Sequence, residues 1–112
     1  MKKTFAIPVT NGVLDAHFGH CSHFAFIEVI DDKIISENIL AAPQHQPGLL
    51  PPWVAKNGAT DVIAGGMGQH AINIFNQHKL NVFVGAPALT TKELVEGFLD
   101  KSLSFNENYC DH

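Results

Sequence analysis

The sequence predicts a single α/β domain whose five-stranded mixed sheet carries helices on both faces. Strand-like apolar segments fill the first forty residues, and helical and strand-like segments then alternate. The chain has 112 residues, of which 46% are hydrophobic, so it can bury a core without disulfides. We expect residues 1–112 to form one domain and residues 102–112 to be a flexible tail.

The first part of the chain predicts three strands. Segment 4–9 is apolar and ends before Asn11 and Gly12, two residue types that tolerate positive φ. Segment 24–30 is rich in aromatic and β-branched residues, and a short polar turn separates it from segment 34–40. The second and third strands are therefore expected to form an antiparallel hairpin.

The second part of the chain predicts helices and strands in alternation. The predicted elements are a helix at 50–57, a strand at 61–64, a helix at 69–78, a strand at 81–84 and a helix that starts at Thr90. Glu93 follows Thr90 at the spacing of a capping box. The last two strands are continuous apolar runs, which is typical of parallel strands buried on both faces. The predicted order is β-β-β-α-β-α-β-α.

Composition and charge exclude several classes of protein. The net charge is −4 with neutral histidine, and no run of Lys or Arg occurs, so we expect no binding to nucleic acid. No segment approaches the ~18 apolar residues of a membrane span, and the N-terminal apolar stretch is too short for a signal peptide. The sequence thus predicts a cytoplasmic protein that does not contact the membrane.

A cluster of histidines is the most unusual feature of the sequence. Seven histidines equal the number of Lys and Arg residues together. His17, His20, Cys21 and His23 fall within seven residues, and imidazole and thiolate are the ligands that suit zinc, copper and iron–sulfur species. Gly19 lets a bulky ligand approach the backbone. The spacing favours an open metal site over a structural zinc, although one or two of these histidines could instead cap backbone groups.

A second candidate feature is the glycine-rich loop that separates a predicted strand from a predicted helix. Gly65, Gly66, Met67 and Gly68 would present backbone N–H groups and a helix N-terminus to an anion or a cluster. Segment 66–71 also matches G-x-G-x-x-A, a dinucleotide-binding pattern. The acidic residue expected after the next strand is absent, so we expect no nucleotide to bind.

The remaining donors are scattered along the chain. His45 lies in a proline-rich loop and is either exposed or a ligand. Cys110 and His112 close the chain, either as an added ligand set or as a frayed terminus. His78 is expected at a helix C-terminus, where a cationic side chain suits the dipole, and we interpret it as structural.

No motif predicts catalysis. The carboxylates show no pairing, and neither a nucleophile elbow nor a P-loop occurs. Cys21 with His17 or His20 could form a thiolate–imidazole pair. Three histidines beside one cysteine describe a metal-binding loop better than a nucleophile, so we expect a protein that is not an enzyme.

Three segments together resemble the dinitrogenase iron–molybdenum cofactor biosynthesis family. They are His17-Phe18-Gly19-His20, the loop at 63–68 and Cys110-Asp111-His112, and the resemblance covers nearly the whole chain. It implies a ribonuclease-H-like fold and the binding of a preformed metal–sulfur cluster, with His17 as the primary ligand. The cluster would be an iron–sulfur species, an iron–molybdenum precursor or a molybdenum–copper sulfide, the last as in the orange protein of sulfate reducers.

The resemblance and the histidine cluster lead to one functional expectation. The protein would be a carrier, store or sensor of such a cluster, a monomer or weak dimer whose partners are cluster-donor or cluster-acceptor proteins. The alternative is a regulatory protein-interaction domain with a vestigial metal loop. A small Cys-dependent enzyme ranks third.

Overall fold

The computed structural model describes residues 2–15, 21–43, 50–103 and 107–109. Residues 107–109 are described by their backbone alone. The strands are β1 (Lys2–Thr10), β2 (Val13–Leu14), β3 (His23–Ile30), β4 (Lys33–Ala41), β5 (Asp61–Ile63), β6 (Asn81–Val84) and β7 (Glu107–Tyr109). The helices are α1 (Leu50–Lys56), α2 (Gln69–Gln77) and α3 (Thr91–Leu99). None of the helices in these ranges is long and apolar enough to cross a membrane.

The strands form one mixed sheet in the order β4-β3-β1-β5-β6-β7, with β2 paired to β1. Strands β1, β5 and β6 are parallel to one another. Strand β3 is antiparallel to both β1 and β4, and β7 is antiparallel to β6. The mixed α/β fold predicted from the sequence is therefore confirmed.

Two hydrophobic cores lie on opposite faces of this sheet. Alternate residues of β1 point to opposite faces, as the strand period of two requires. Phe5 and Ile7 pack with Leu94 of α3 in one core, while Ala6 belongs to the other core together with residues of α1 and α2. The prediction of helices on both faces is correct.

The prediction of five strands is wrong, because the residues that the structure describes already form a sheet of seven. Asn11 and Gly12 both adopt positive φ, at 57° and 80°, and so make a tight two-residue turn that folds Val13 and Leu14 back onto β1. Strand β2 has only two residues and β7 only three, which is too short for period-two patterning to be recognised.

Asp61 stabilises the sheet at the edge where the parallel strands begin, which we call the amino edge. It is 1% exposed, and its two carboxylate oxygens accept hydrogen bonds from Thr60 Oγ1 at 2.7 Å and from Asn81 Nδ2 at 2.9 Å. A buried carboxylate with both oxygens bonded is a structural element rather than an open ligand.

Candidate functional site at the carboxyl edge of the sheet

The sequence-predicted donors that the structure describes lie at the carboxyl edge of the sheet, where the parallel strands β1, β5 and β6 end. Strand β3 begins there, because His23 pairs with Val9 near the end of β1. Strand β4 ends there, because Ala41 pairs with His23. Open α/β sheets bind ligands outside the carboxyl ends of their strands.

The glycine-rich loop lies at this edge, between β5 and α2, as predicted. The N–H of Gly85, after β6, donates to the carbonyl of Gly65 at 3.0 Å, which fixes the start of the loop. Gly68 is the N-cap of α2 and provides no side-chain hydrogen bond to the helix. The first N–H groups of a helix have no intrahelical acceptor, so they point out of the α2 N-terminus with a partial positive charge.

Cys21 is half-buried at the same edge. Its side chain packs against the core under α1 and α2, as does that of Met67 in the glycine-rich loop, so a thiol and a thioether share one face of the sheet. Burial, together with the carboxylate of Asp15, raises the pKa of the Cys21 thiol to about 11, partly offset by a backbone hydrogen bond that lowers it. The thiol is therefore neutral at physiological pH and must release a proton to bind a metal.

His23 is exposed at the first position of β3. Its pairing with Val9, whose side chain lies in the core under α3, places it on the face opposite to Cys21. Its ring Nδ1 lies 2.8 Å from Ser22 Oγ. Cys21 and His23 thus lie at the same edge of the sheet but on opposite faces of it.

A small hydrogen-bond network holds the chain on both sides of segment 16–20. The Thr10 hydroxyl donates to Asp15 Oδ2 at 2.8 Å and accepts from the Ser22 N–H at 3.4 Å. The Ser22 carbonyl accepts from the Ala42 N–H at 3.0 Å. Sequence reasoning missed Thr10, Asp15 and Ser22, since no local motif signals hydrogen bonds between residues five and twelve positions apart.

The other predicted ligands lie outside the described residues: His17, Gly19, His20, His45, Cys110 and His112. Within the ranges that the structure covers, no three His, Cys, Asp or Glu side chains are placed to hold a metal ion together. The described part of the edge therefore offers separate soft donors and backbone amides, not a complete coordination sphere.

A groove of about 850 Å³ lies away from these donors, between the β3–β4 hairpin and α3. Its lining includes charged side chains of both signs, among them Lys33, Glu37 and Lys92, over an apolar floor that includes Ile27. Because its lining contains neither His nor Cys, it does not extend the metal-donor set.

Comparison with known proteins identifies the family. The sequence profile described as "Dinitrogenase iron-molybdenum cofactor" matches residues 1–101. The chain belongs to this family. An uncharacterized protein of Methanocaldococcus jannaschii is 29% identical over 103 residues, which cover 88% of this chain and 86% of that protein.

Solved structures share the fold of this dinitrogenase iron–molybdenum cofactor family member. The apo form of the orange protein from Desulfovibrio gigas superposes with a TM-score of 0.79 at 18% identity, over 97% of each chain. An NMR structure of a Thermotoga protein, provisionally assigned as NifB, superposes with a TM-score of 0.71 at 17% identity over 92% of each chain. At these identities the likeness concerns the fold alone.

Proposed function

We propose that this protein binds a preformed metal–sulfur cluster at the carboxyl edge of its sheet and carries it between a donor and an acceptor protein. The observation that carries the proposal is that Cys21 and Met67 pack against the same core on one face of the sheet, Met67 one residue before the N-cap of α2. Thiolate and thioether are soft ligands that suit iron, copper and molybdenum in sulfide-bridged species.

Electrostatics at the α2 N-terminus supports an anionic cargo. Metal–sulfur clusters carry negative charge on their sulfides, and helix N–H groups stabilise such charge. The first turn of α2 has no acidic side chain that would compete for these N–H groups. The loop would therefore contact the sulfides through backbone hydrogen bonds, with His17 as the primary metal ligand and His20 and His23 as further candidates.

A small ligand set favours transfer over permanent retention. The chain has two cysteines, whereas a tightly held four-iron cubane usually takes four thiolates. The raised pKa of Cys21 makes its metal bond compete with a proton. A cluster held by imidazole, at most a few sulfur ligands and amides can leave for a stronger acceptor.

The proposal includes several finer assignments. The antiparallel β4-β3-β1 strands followed by parallel β5 and β6 support a ribonuclease-H-like classification. We further propose a cytoplasmic carrier, monomeric or weakly dimeric, without catalytic turnover. It should not bind nucleotides, so calorimetry with NAD, ATP and FAD should detect no binding below millimolar concentration.

Anaerobic reconstitution tests the proposal. The protein is incubated with ferrous iron and sulfide, or with tetrathiomolybdate, and metal, labile sulfide and the visible spectrum are measured after gel filtration. His17→Ala should lose at least about tenfold in cluster affinity, since even outer-shell losses cost ~10–100-fold. His78→Ala, at the C-cap of α2 and the opposite edge, is the matched control. Equal loading of the parent and His17→Ala would refute His17 as the primary ligand.

A regulatory interaction domain is the second candidate, and the exposed β4 strand favours it. Strand β4 lies at the end of the sheet, and Ile35 and Ile39 on it are 51% and 52% exposed. Free strand edges with apolar side chains tend to pair with other chains. A protein that takes up no cluster in reconstitution, but whose association state in sedimentation changes on Ile39→Lys, would support this alternative.

A further inference from the structure

We propose that Ser22 is a positioning residue that fixes the tautomer of His23, so that His23 presents Nε2 as a metal-binding nitrogen. The inference rests on the proposed function, since it assigns the ligand atom for the cargo at the same edge. Four hydrogen bonds around Ser22 carry it.

The hydroxyl of Ser22 has two neighbours. Ser22 Oγ lies 3.3 Å from the carbonyl oxygen of Val9 and 2.8 Å from His23 Nδ1. A carbonyl oxygen only accepts, so the contact with Val9 is a hydrogen bond only if the single hydroxyl proton of Ser22 points to it. We infer this arrangement because it alone makes both contacts hydrogen bonds, with His23 Nδ1 carrying a proton that it donates to Ser22 Oγ.

This direction of hydrogen bonding determines which nitrogen of the His23 ring carries the proton. A neutral imidazole has one N–H and one lone pair, so a proton on Nδ1 leaves the lone pair on Nε2. Metal-ligating histidines commonly donate their second ring N–H to an oxygen in this way, which fixes both tautomer and ring orientation. His23 therefore has the hydrogen-bond acceptor that metal-ligating histidines commonly have.

The backbone of Ser22 is itself held firmly. Its N–H donates to Thr10 Oγ1 and its carbonyl accepts from the Ala42 N–H. Ser22 is thereby tied both to the end of β1 and to the residue after β4. These backbone bonds place the Ser22 hydroxyl beside His23 Nδ1, where both side chains are exposed to solvent.

Long-range ¹H–¹⁵N NMR of the histidine rings tests the assignment without any cluster. In the metal-free protein at neutral pH, His23 should appear as the Nδ1–H tautomer, and Ser22→Ala should move its proton to Nε2. Ser22→Thr keeps the hydroxyl and should preserve the parent tautomer. An Nε2–H tautomer in the parent, or an unchanged ring in Ser22→Ala, would overturn the proposal.

Zn²⁺ alone serves as the probe of ligand function. Titration with Zn²⁺ should shift the ¹⁵N signal of His23 Nε2 in the parent. In Ser22→Ala the Zn²⁺ affinity obtained from that signal should be about tenfold lower. His78 is an internal control whose response should be equal in both proteins. Equal Zn²⁺ affinity at His23 in the two proteins would overturn the positioning role. A protein that shows the Zn²⁺ response but takes up no metal–sulfur cluster would contradict the carrier function alone.

Discussion

The hydroxyl of Thr10 donates a hydrogen bond to a carboxylate oxygen of Asp15, 2.8 Å away, and so joins the end of β1 to the residue that precedes segment 16–20. The same hydroxyl accepts from the N–H of Ser22, just after that segment. One side chain therefore contacts residues on both sides of the segment that contains His17 and His20.

Replacing Thr10 with Val removes the hydroxyl and keeps the shape of the side chain. We expect the free energy of unfolding in urea to fall by about 1–2 kcal/mol, because two hydrogen bonds lose their shared partner. Cluster loading should fall as well, since Asp15 and Ser22 on either side of segment 16–20 lose their common partner. Thr10→Ser retains the hydroxyl and is the control. Full loading of Thr10→Val would show that the network serves stability alone.

The reactivity of Cys21 should follow its raised pKa. In a Cys110→Ser background, alkylation by iodoacetamide at pH 8 should be slow and should accelerate as pH rises toward about 11, because the thiolate is the nucleophile. Asp15→Asn removes a carboxylate that raises the pKa, so it should speed the reaction at pH 8. Rates that match those of the urea-unfolded chain would show that burial does not protect Cys21.

The same pKa shift has a consequence for stability. The thiol ionises near 9.0 when unfolded and near 11 when folded, so the unfolded chain loses its proton first. The contribution of Cys21 to stability is therefore complete below pH 9 and is lost as pH rises from about 9 to about 11. Cys21→Ala should lack this part of the alkaline decline in urea-unfolding curves.

A negative charge at Gly68 should separate stability from cargo binding. A Cβ at this position meets no atom within 4 Å and Gly68 has φ of −69°, so other residues fit there. Gly68→Asp should keep or slightly increase thermal stability, because Asp is a good N-cap and complements the helix dipole. It should weaken cluster loading by about tenfold or more through repulsion of the sulfides and occupation of the N–H groups.

Gly68→Asn is the neutral isostere of this change. It caps the helix comparably but adds no charge, so it should reduce loading less than Gly68→Asp does. If both variants load as the parent does, the α2 N-terminus does not contact the cargo.

Gly97 allows Leu103 to pack against α3. A Cβ on Gly97 would come 2.5 Å from Leu103 Cγ, and Leu103 packs against the core under α3. Gly97→Ala should therefore destabilise the fold by about 1–3 kcal/mol, despite the better helix propensity of Ala. Adding Leu103→Ala should relieve the clash, so the two changes should be non-additive in a double-mutant cycle. Additive effects would contradict the contact.

The sequence predicts correctly those features of the structure that depend on residues close together along the chain. Thr90 and Glu93 form the predicted capping box at the start of α3. The predicted starts of the three helices, and the predicted ends of the first two, lie within one residue of the observed ones. The glycine-rich loop lies between β5 and α2, as its composition indicated. In each case the deciding interactions lie within a few residues along the chain.

Long-range pairing decided what the sequence could not predict. The sequence predicts β3 from Phe24, whereas the strand starts at His23. Because His23 belongs to the strand and side chains alternate along it, the His23 side chain lies on the face opposite to that of Phe24. Two neighbouring donors of the sequence cluster, Cys21 and His23, therefore lie on opposite faces of the sheet. The role of Ser22 depends likewise on Val9 and Ala42, which lie on other strands or beyond their ends.

The location of the cargo is the central claim, and amide mapping tests it most directly. The ¹⁵N-labelled protein is titrated anaerobically with tetrathiomolybdate, and backbone amide signals are followed. The largest changes should occur at the carboxyl edge, at Cys21 and residues 65–68, while Thr60, Asp61 and Asn81 at the amino edge remain unchanged. Changes confined to the amino edge, or to the groove between the β3–β4 hairpin and α3, would contradict the account.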